Sequence, residues 1–167
     1  MDGTASWSAL MQLIGFWEGG GRGEFPTIDP FTYDEELTVA EAVPGETLHY
    51  LSRTWDTGDD FHPVSHVETG FITLTHDSKV DILNAQGPDR LEVLTGTLEP
   101  TMDGFTLVLR STSITHDARM VTSWREWQLA ADAFSYTMGM STTVVPDGAH
   151  HLAAELRRQG SCSSGHV

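Results

Sequence analysis

Positive charge is scarce in this chain. Nine Lys and Arg residues face 24 Asp and Glu residues, which gives a net charge of −15, and Lys79 is the single lysine. A surface with this charge repels nucleic acid and anionic membranes. We therefore expect neither as a partner, and we expect a monomer or a homodimer.

Cysteine and long apolar runs are also lacking. The single cysteine, Cys162, excludes an internal disulfide. No stretch approaches the roughly 18 apolar residues of a membrane span, and no basic N-terminal region leads into an apolar run as in a signal peptide. These absences predict a cytoplasmic location. Cys162 itself lies in a Ser- and Gly-rich segment, and we interpret residues 159–167 as a disordered tail.

The chain does contain ten short segments with strand periodicity. Alternating apolar, β-branched and aromatic residues are separated by clusters of Gly, Pro and Asp, which are typical of tight turns. The predicted strands lie near residues 16–25, 31–42, 47–56, 64–76, 79–86, 90–99, 104–114, 119–129, 133–141 and 149–158. A short helix is predicted over residues 6–14, with Ser6 as its N-cap.

This order of elements indicates one all-β domain over residues 1–158. A closed antiparallel β-barrel of about ten strands leaves no exposed strand edge. A barrel of this size also leaves room for a ligand cavity. A β-sandwich has the same strand pattern, and the pattern alone does not separate the two folds.

The most unusual segment is a glycine-rich strand over residues 15–28. Read with a period of two, it places Trp17, Gly19, Gly21 and Gly23 on one face. Glycine is disfavoured in strands because it packs nothing and loses the most backbone entropy. One interpretation is a bare strip of backbone that another group approaches closely. The other is a bend at a corner of a curved sheet.

The same segment resembles the signature of the nitrobindin family, which consists of ten-stranded β-barrels that bind haem b. The matching letters are G-F-W-E-G-G-G over residues 15–21 and F-P-T-I over residues 25–28. The resemblance continues through P-F-T-Y-D-E-E over residues 30–36 and extends to Arg158. It implies haem b as cofactor, with the following cofactor-binding residues in this part of the chain: Trp17, Gly19, Gly21 and Thr27.

Two adjacent histidines in the last predicted strand are candidates for the axial ligand that haem iron requires. Only one of His150 and His151 can enter the cavity, because adjacent side chains on a strand point to opposite faces. Apolar alternation groups His150 with Leu152. The resemblance instead implies His151, because the family's ligand is the His of a His-Leu pair. We predict His151, with His150 as the alternative.

Other polar residues have less specific interpretations. The resemblance implies that His66 lies toward the other side of the haem; the alternative is a structural histidine paired with Glu68. Arg119 and Arg125 flank the eighth strand and are candidate partners for the haem propionates, since carboxylates need cations. The acidic run over residues 34–36 is interpreted as the solvated start of a strand.

The resemblance implies a ferric haem b protein that isomerises peroxynitrite to nitrate and binds nitric oxide, detoxifying reactive nitrogen species. No catalytic residue is expected beyond the haem iron. One alternative is a non-catalytic carrier of a small apolar ligand, in a barrel of the lipocalin or fatty-acid-binding-protein type. Another is a family member that has lost haem and serves as a structural module. Only an axial histidine and the bare glycine strip favour haem over these alternatives.

Overall fold

Ten antiparallel strands close into a barrel in the computed structural model, which describes residues 3–75 and 78–160. The elements are α1 (Gly3–Met11), β1 (Gly15–Phe25), β2 (Ile28–Val43), β3 (Thr47–Asp56), β4 (Val64–Leu74), β5 (Lys79–Gln86), β6 (Arg90–Pro100), β7 (Gly104–Thr115), β8 (Met120–Ala130), β9 (Ala133–Thr142) and β10 (Ala149–Arg158). Each strand pairs with its neighbour in sequence, and β1 pairs with β10 to complete the ring. The barrel prediction is confirmed, and the sandwich alternative is wrong.

The helix begins and ends three residues earlier than the sequence predicted. Ser6 therefore lies inside α1 and does not cap it, and its hydroxyl is 2.6 Å from the hydroxyl of Ser78. After the helix, Gln12, Leu13 and Ile14 each donate to the carbonyl three residues back. These tight turns continue the helical spacing of the apolar residues, which explains why the predicted helix extended too far.

The barrel interior is apolar at the end where α1 packs. Apolar side chains of α1 join those from the inward faces of the strands in one buried cluster. Its members include Ala9, Leu10, Trp17, Leu37, Leu48, Ile72, Ile82, Leu94, Leu107, Trp127 and Phe134. Burial of apolar surface stabilises a fold by about 25 cal/mol per Å², so this cluster is the hydrophobic core. The cavity lies between the core and the opposite end of the barrel.

The predicted tail is described only at its start. The backbone N–H of Gln159 donates to the carbonyl of Phe16 at 2.8 Å, which continues the pairing of β10 with β1 by one residue. Residues 161–167, including Cys162, lie outside the described residues, so the domain boundary at residue 158 stays a prediction. Among the described residues, no helix is long and apolar enough to cross a membrane.

Candidate haem site

A cavity of about 360 Å³ lies inside the barrel. Its lining includes the exposed residues Ile28 and Ser65 and the buried Leu13 next to α1, so the cavity opens at the end away from the helix. The lining residues that bear on ligand binding are Phe31, Tyr33, Glu35, His66, Glu68, Arg90, Arg125, Tyr136, Met138, His151 and Leu152. Three of the predicted site residues, His66, Arg125 and His151, are therefore brought to one cavity.

A β-bulge in β10 brings His151 into this cavity. His150 pairs with Gly139 and Leu152 pairs with Met138, so His151 is an extra residue between two regular pairs. A bulge shifts the alternation of side chains by one position. As a result His151 and Leu152 both line the cavity, whereas His150 is exposed. The alternation from Leu152 onward is thus compatible with an inward His151, which regular strand geometry did not allow.

The imidazole of His151 is held in one tautomer. Its Nδ1 lies 3.2 Å from the carbonyl oxygen of Glu24, and because a carbonyl only accepts, Nδ1 carries the hydrogen. The lone pair is then on Nε2, the form of the ring that binds metals. Burial lowers the pKa of His151, which favours the neutral ring. The rings of Phe25 and Phe31 pack edge-on against it, at centroid distances of 5.7 and 6.2 Å.

His66 lines the same cavity from β4, which lies four strands from β10 around the ring. Burial lowers its pKa, although the Glu68 carboxylate opposes this shift. Within residues 3–75 and 78–160, its imidazole makes no hydrogen bond, and Glu68 bonds to Arg125 and Tyr50 instead. The imidazole of His66 is therefore available to a ligand in the cavity.

The other four predicted cofactor-binding residues are not among the residues that line the cavity. Trp17 is buried in the core, where its indole N–H donates to the Leu13 carbonyl at 2.9 Å. Thr27 is exposed in the turn between β1 and β2. Gly19 and Gly21 lie on β1 between β10 and β2. Haem contacts by these four residues stay a prediction.

The bare strip of β1 is approached closely by the chain's own aromatic rings. A Cβ atom on Gly21 would lie 2.5 Å from Cζ and Oη of Tyr33, and one on Gly23 would overlap the ring of Phe31. Both rings come from β2 and line the cavity. The glycines thus shape the cavity wall through the rings that lie over them.

Arg125 is buried in an ion-pair network inside the barrel. It donates to both carboxylate oxygens of Glu68, at 2.6 and 3.0 Å, and to Glu92 at 3.1 Å. Ser123 also donates to Glu92. Burial alone would raise the pKa of Glu68, but the Arg125 guanidinium outweighs it and lowers the pKa. The two carboxylates fully compensate the charge of Arg125, although its Nε is buried without a partner in the described part of the chain. The compensated charge argues against a role in binding a propionate.

Arg90 also lines the cavity, a position that no pattern in the sequence predicted. Arg90 donates to Gln86 at 3.2 Å and to Asp117 at 3.1 Å, and its Nε is buried with no partner in the part of the chain described. Arg119, the other predicted propionate partner, is 79% exposed and outside the cavity lining, and its hydrogen bonds to Asp117 lower the pKa of that carboxyl to about 2. Two guanidinium groups thus share one carboxylate, so Arg90 is only partly compensated.

Glu35 corrects the interpretation of residues 34–36 as solvated. Its side chain is only 4% exposed and lines the cavity. Ser52 and Tyr136 each donate to it at 2.7 Å, and the hydroxyl of Tyr33 is 2.9 Å from that of Tyr136. Burial raises the pKa of Glu35. The signal was present in the sequence, because Glu35 alternates with apolar residues along β2 and so shares their inward face.

Comparisons with known proteins agree with this geometry. Peroxynitrite isomerase 2 of Mycobacterium ulcerans (strain Agy99) is 33% identical over 154 residues, which cover 90% of this chain and 93% of the relative. The crystal structure of Rv2717c from M. tuberculosis superposes with a TM-score of 0.84 at 31% identity, covering 93% of this chain and 98% of that one. The S-type phycobiliprotein lyase CPES from Guillardia theta shares the fold alone, with a TM-score of 0.67 at 12% identity over 96% of this chain and 99% of the lyase.

A family model also matches nearly the whole barrel. Residues 6–158 match the model described as the THAP4-like, heme-binding beta-barrel domain. The match runs from α1 to the last residue of β10 and includes the bulge that carries His151. This chain belongs to the THAP4-like haem-binding β-barrel family, the nitrobindin family that its glycine-rich strand resembles.

Proposed function

We propose that this protein binds haem in the barrel cavity and isomerises peroxynitrite to nitrate. The observation that carries the proposal is the placement of His151 by the β10 bulge, with Nε2 free for a metal. Relatives named peroxynitrite isomerase, at about one-third identity over most of the chain, support the reaction. Haem b in the ferric state and reversible binding of nitric oxide are finer parts of the same proposal.

The residues around the cavity fit a haem. His151 would hold the iron through Nε2, and the unpartnered Nε of Arg90 would meet a propionate carboxylate. Phe31, Met138 and Leu152 supply apolar wall to the macrocycle. When bound, the haem would supply a Lewis-acidic iron. An orphaned buried donor at the cavity of an acidic protein is the feature that an anionic group would satisfy.

The chain's own residues orient the ligands and control their access. The Glu24 carbonyl accepts from Nδ1 of His151 and so fixes its ring, as hydrogen-bond acceptors do for many metal-binding histidines. His66, which has no hydrogen-bond partner in the described part of the chain, can donate to or accept from a small ligand in the cavity. The net charge of −15 opposes the approach of an anion. Arg90, partly compensated, offsets this field locally.

A carrier of a small apolar ligand fits the cavity less well. Its lining includes Glu35, Glu68 and Arg125. Polar groups held against an apolar ligand lose water without gaining a hydrogen bond, which costs free energy. The mixed lining suits a ligand with polar edges. We further propose a cytoplasmic monomer or homodimer whose partners are small molecules, namely peroxynitrite and nitric oxide.

The adjacent histidines give a direct test of the proposal. Hemin is added to the purified wild type, to His151→Ala and to His150→Ala, and the Soret band is recorded. We expect loss or a strong change of the Soret band in His151→Ala and an almost intact band in His150→Ala, since His150 is exposed. Peroxynitrite decay, followed by stopped-flow absorbance, should change in parallel with the spectra.

Two outcomes would contradict the proposal. If His150 is required and His151 is dispensable, the bulge does not direct the ligand as described. If neither substitution alters the spectrum, His151 does not bind haem iron. Wild-type protein that binds hemin but leaves the peroxynitrite decay rate unchanged would retain the haem assignment and exclude the isomerase.

A further inference from the structure

Two of the chain's three tyrosines share a chain of hydrogen bonds inside the barrel. The hydroxyl of Tyr136 donates to Oε2 of Glu35 at 2.7 Å, and the hydroxyl of Tyr33 lies 2.9 Å from that of Tyr136. Because the single hydroxyl hydrogen of Tyr136 points to Glu35, Tyr33 is the donor to Tyr136. Ser52 donates to Oε1 of Glu35 at 2.7 Å. The carboxylate thus accepts at both oxygens, as an ionised acid does.

This arrangement suits oxidation of a tyrosine coupled to loss of its proton. Burial raises the pKa of both Tyr33 and Tyr136, so both phenols stay neutral. Removing only an electron from a buried phenol would leave an unpaired positive charge in an apolar interior, which is costly. Glu35 can take the proton, because no cation in residues 3–75 and 78–160 forms an ion pair with it. Burial raises the pKa of Glu35, which makes its carboxylate a stronger base than usual.

The third tyrosine provides an internal contrast. Tyr50 also donates to a carboxylate, Oε1 of Glu68, at 2.9 Å. That same oxygen accepts from Arg125 at 2.6 Å, and the guanidinium lowers the pKa of Glu68 despite its burial. A carboxylate bound in this way is a poor proton acceptor. Tyr50 is therefore hydrogen-bonded to a carboxylate like Tyr136, but it lacks a usable base.

The tyrosine pair is also reachable from the cavity. Tyr33, Tyr136 and Glu35 all line it, and Tyr136 is half-buried. The bare backbone at Gly21 gives room for the hydroxyl end of Tyr33, since a Cβ atom there would lie 2.5 Å from that hydroxyl. A small oxidant in the cavity can therefore meet the pair directly.

From this geometry we infer that Tyr136, Tyr33 and Glu35 form a site that captures nitrogen dioxide. The O–H bond of Tyr136 breaks; its electron reduces nitrogen dioxide to nitrite, and its proton passes to Glu35. The products are a neutral tyrosyl radical, nitrite and a protonated Glu35. Transfer of a hydrogen atom from Tyr33 to Tyr136 then moves the radical to Tyr33 without moving net charge. The inference rests on the proposed function only for the source of nitrogen dioxide, which forms when the O–O bond of peroxynitrous acid breaks.

A second nitrogen dioxide molecule modifies the tyrosine at this site covalently. It forms a bond to a ring carbon of the tyrosyl radical, and the hydrogen on that carbon moves to the oxygen, which gives nitrotyrosine. The position of nitration therefore reports where the radical resided. We expect nitration at Tyr33 and Tyr136 and none at Tyr50.

The test supplies the oxidant directly. Full-length protein, with and without hemin, is exposed to nitrogen dioxide generated by pulse radiolysis of nitrite solutions. Transient absorbance measures the tyrosyl radical, and mass spectrometry of peptides maps nitration. We expect the radical in the wild type and its loss in Tyr136→Phe and Glu35→Gln. The matched control Tyr50→Phe should retain the radical signal.

Only variants that fold are compared, so loss of the radical signal cannot come from unfolding. Circular dichroism identifies variants that fold, and Tyr33→Phe, which keeps the contact between Tyr136 and Glu35, should still form the radical and be nitrated only at residue 136. Equal nitration of all three tyrosines, or a radical that survives Tyr136→Phe, would overturn the inference. Because nitrogen dioxide is supplied without peroxynitrite, failure of the isomerase assay leaves this result standing, and failure of radical capture leaves the isomerase proposal standing.

Discussion

Single residues at the cavity differ in how fully their charge is compensated. Arg125 is shared by two buried carboxylates, whereas Arg90 shares the single carboxylate of Asp117 with Arg119. In both arginines Nε is buried without a partner in the described part of the chain. An orphaned buried donor costs about 1–3 kcal/mol when nothing satisfies it. Because Arg90 has only a shared carboxylate while Arg125 has two of its own, Arg90 is the residue at which an anionic group on a ligand gains most.

Replacement of Arg90 should separate charge recognition from general packing. In Arg90→Gln we expect hemin affinity to fall by about tenfold to hundredfold, since a hydrogen bond to a charged group contributes roughly 1.5–3 kcal/mol. Affinity for hemin dimethyl ester, which lacks the carboxylates, should stay within about twofold of the wild-type value, since the ester removes the charge-assisted bond. Quenching of tryptophan fluorescence measures both affinities.

The control for this prediction is Arg119→Gln, which removes the other arginine on Asp117. Arg119 is on the surface and outside the cavity lining, so its loss should leave both affinities close to wild type. An equal fall for hemin and its dimethyl ester in Arg90→Gln would show that Arg90 supports the cavity wall and does not bind a propionate.

Arg125 has a structural role that predicts a large effect on stability. In Arg125→Met, Glu68 and Glu92 lose their buried cation, and removal of one partner from a buried ion pair costs about 3–5 kcal/mol. Urea unfolding at neutral pH measures the free energy of unfolding. The exposed Arg119→Met serves as the control, with an expected change within about 0.5 kcal/mol.

The pH dependence of this destabilisation follows from the pKa of Glu68, a carboxylate that loses its cation in Arg125→Met. The pKa of Glu68 is lowered in the folded state, so the stabilisation is complete above its ordinary pKa of 4.5 and is lost as the pH falls through the folded value. The difference between wild type and Arg125→Met should therefore shrink below pH 4.5. A difference that stays constant from neutral to acid pH would contradict the assignment of the loss to the ion pair.

At the level of elements, the bulge in β10 decides which histidine faces the cavity. Leu152, Ala154 and Leu156 alternate on the inward face, and in a regular strand His150 would share that face. The extra residue turns His150 outward and His151 inward. One inserted residue thus allows the apolar alternation that starts at Leu152 and an inward-facing His151 to occur in the same strand.

Deletion of His150 tests the bulge itself. With one residue fewer, His151 would pair with Gly139 in a regular ladder and point outward, because Leu152 keeps its pairing with Met138. We expect loss of the hemin Soret band in the deletion variant, although His151 is still present. His150→Ala, which keeps the bulge, is the matched control and should retain the band. A deletion variant that folds and binds hemin as the wild type does would exclude this role for the bulge.

The pairing of β1 with β2 shows a second relation between elements. Glycines on β1 lie opposite aromatic residues on β2, with Gly21 paired to Tyr33 and Gly23 paired to Phe31. The rings fold over the glycines because no Cβ atom is in the way. The glycine strip thus places two aromatic side chains in the cavity wall, one of which packs against His151.

At the scale of the whole molecule, the net charge of −15 affects the stability of the barrel as a whole. Self-repulsion among like charges destabilises the compact state. Raising the ionic strength from about 0.01 M to about 0.15 M shortens the Debye length from about 30 Å to about 8 Å and screens this repulsion. We therefore expect the urea midpoint of unfolding to rise with NaCl over this range.

A variant with fewer net charges provides the control. Glu46→Lys, Glu99→Lys and Glu126→Lys together replace three exposed carboxylates, and each replacement raises the net charge by two, so it changes from −15 to −9. Its unfolding midpoint should depend less on NaCl. A midpoint that falls with salt in the wild type would show that specific ion pairs outweigh the general repulsion.

The sequence by itself determined the strands, whereas their pattern left a barrel and a sandwich open, and only the resemblance to the nitrobindin family favoured the barrel. Period-two alternation and turn clusters gave ten strands whose ends agree with the structure to within a few residues, because side-chain direction in a strand repeats every two residues. The glycine strip and the His-Leu pair could likewise be identified in the sequence, because both are local patterns. The helix was placed three residues late because tight turns beyond it mimic helical spacing.

Only the tertiary structure decided which groups meet. Arg90 and Arg125 have the same chemistry in sequence, but the fold gives Arg125 two carboxylates of its own and leaves Arg90 to share the Asp117 carboxylate with Arg119. The bulge at His151 arises from the register between β10 and β9, which no local pattern encodes. Contacts between strands far apart in the chain set these properties, and closure of the ring fixes all of them together.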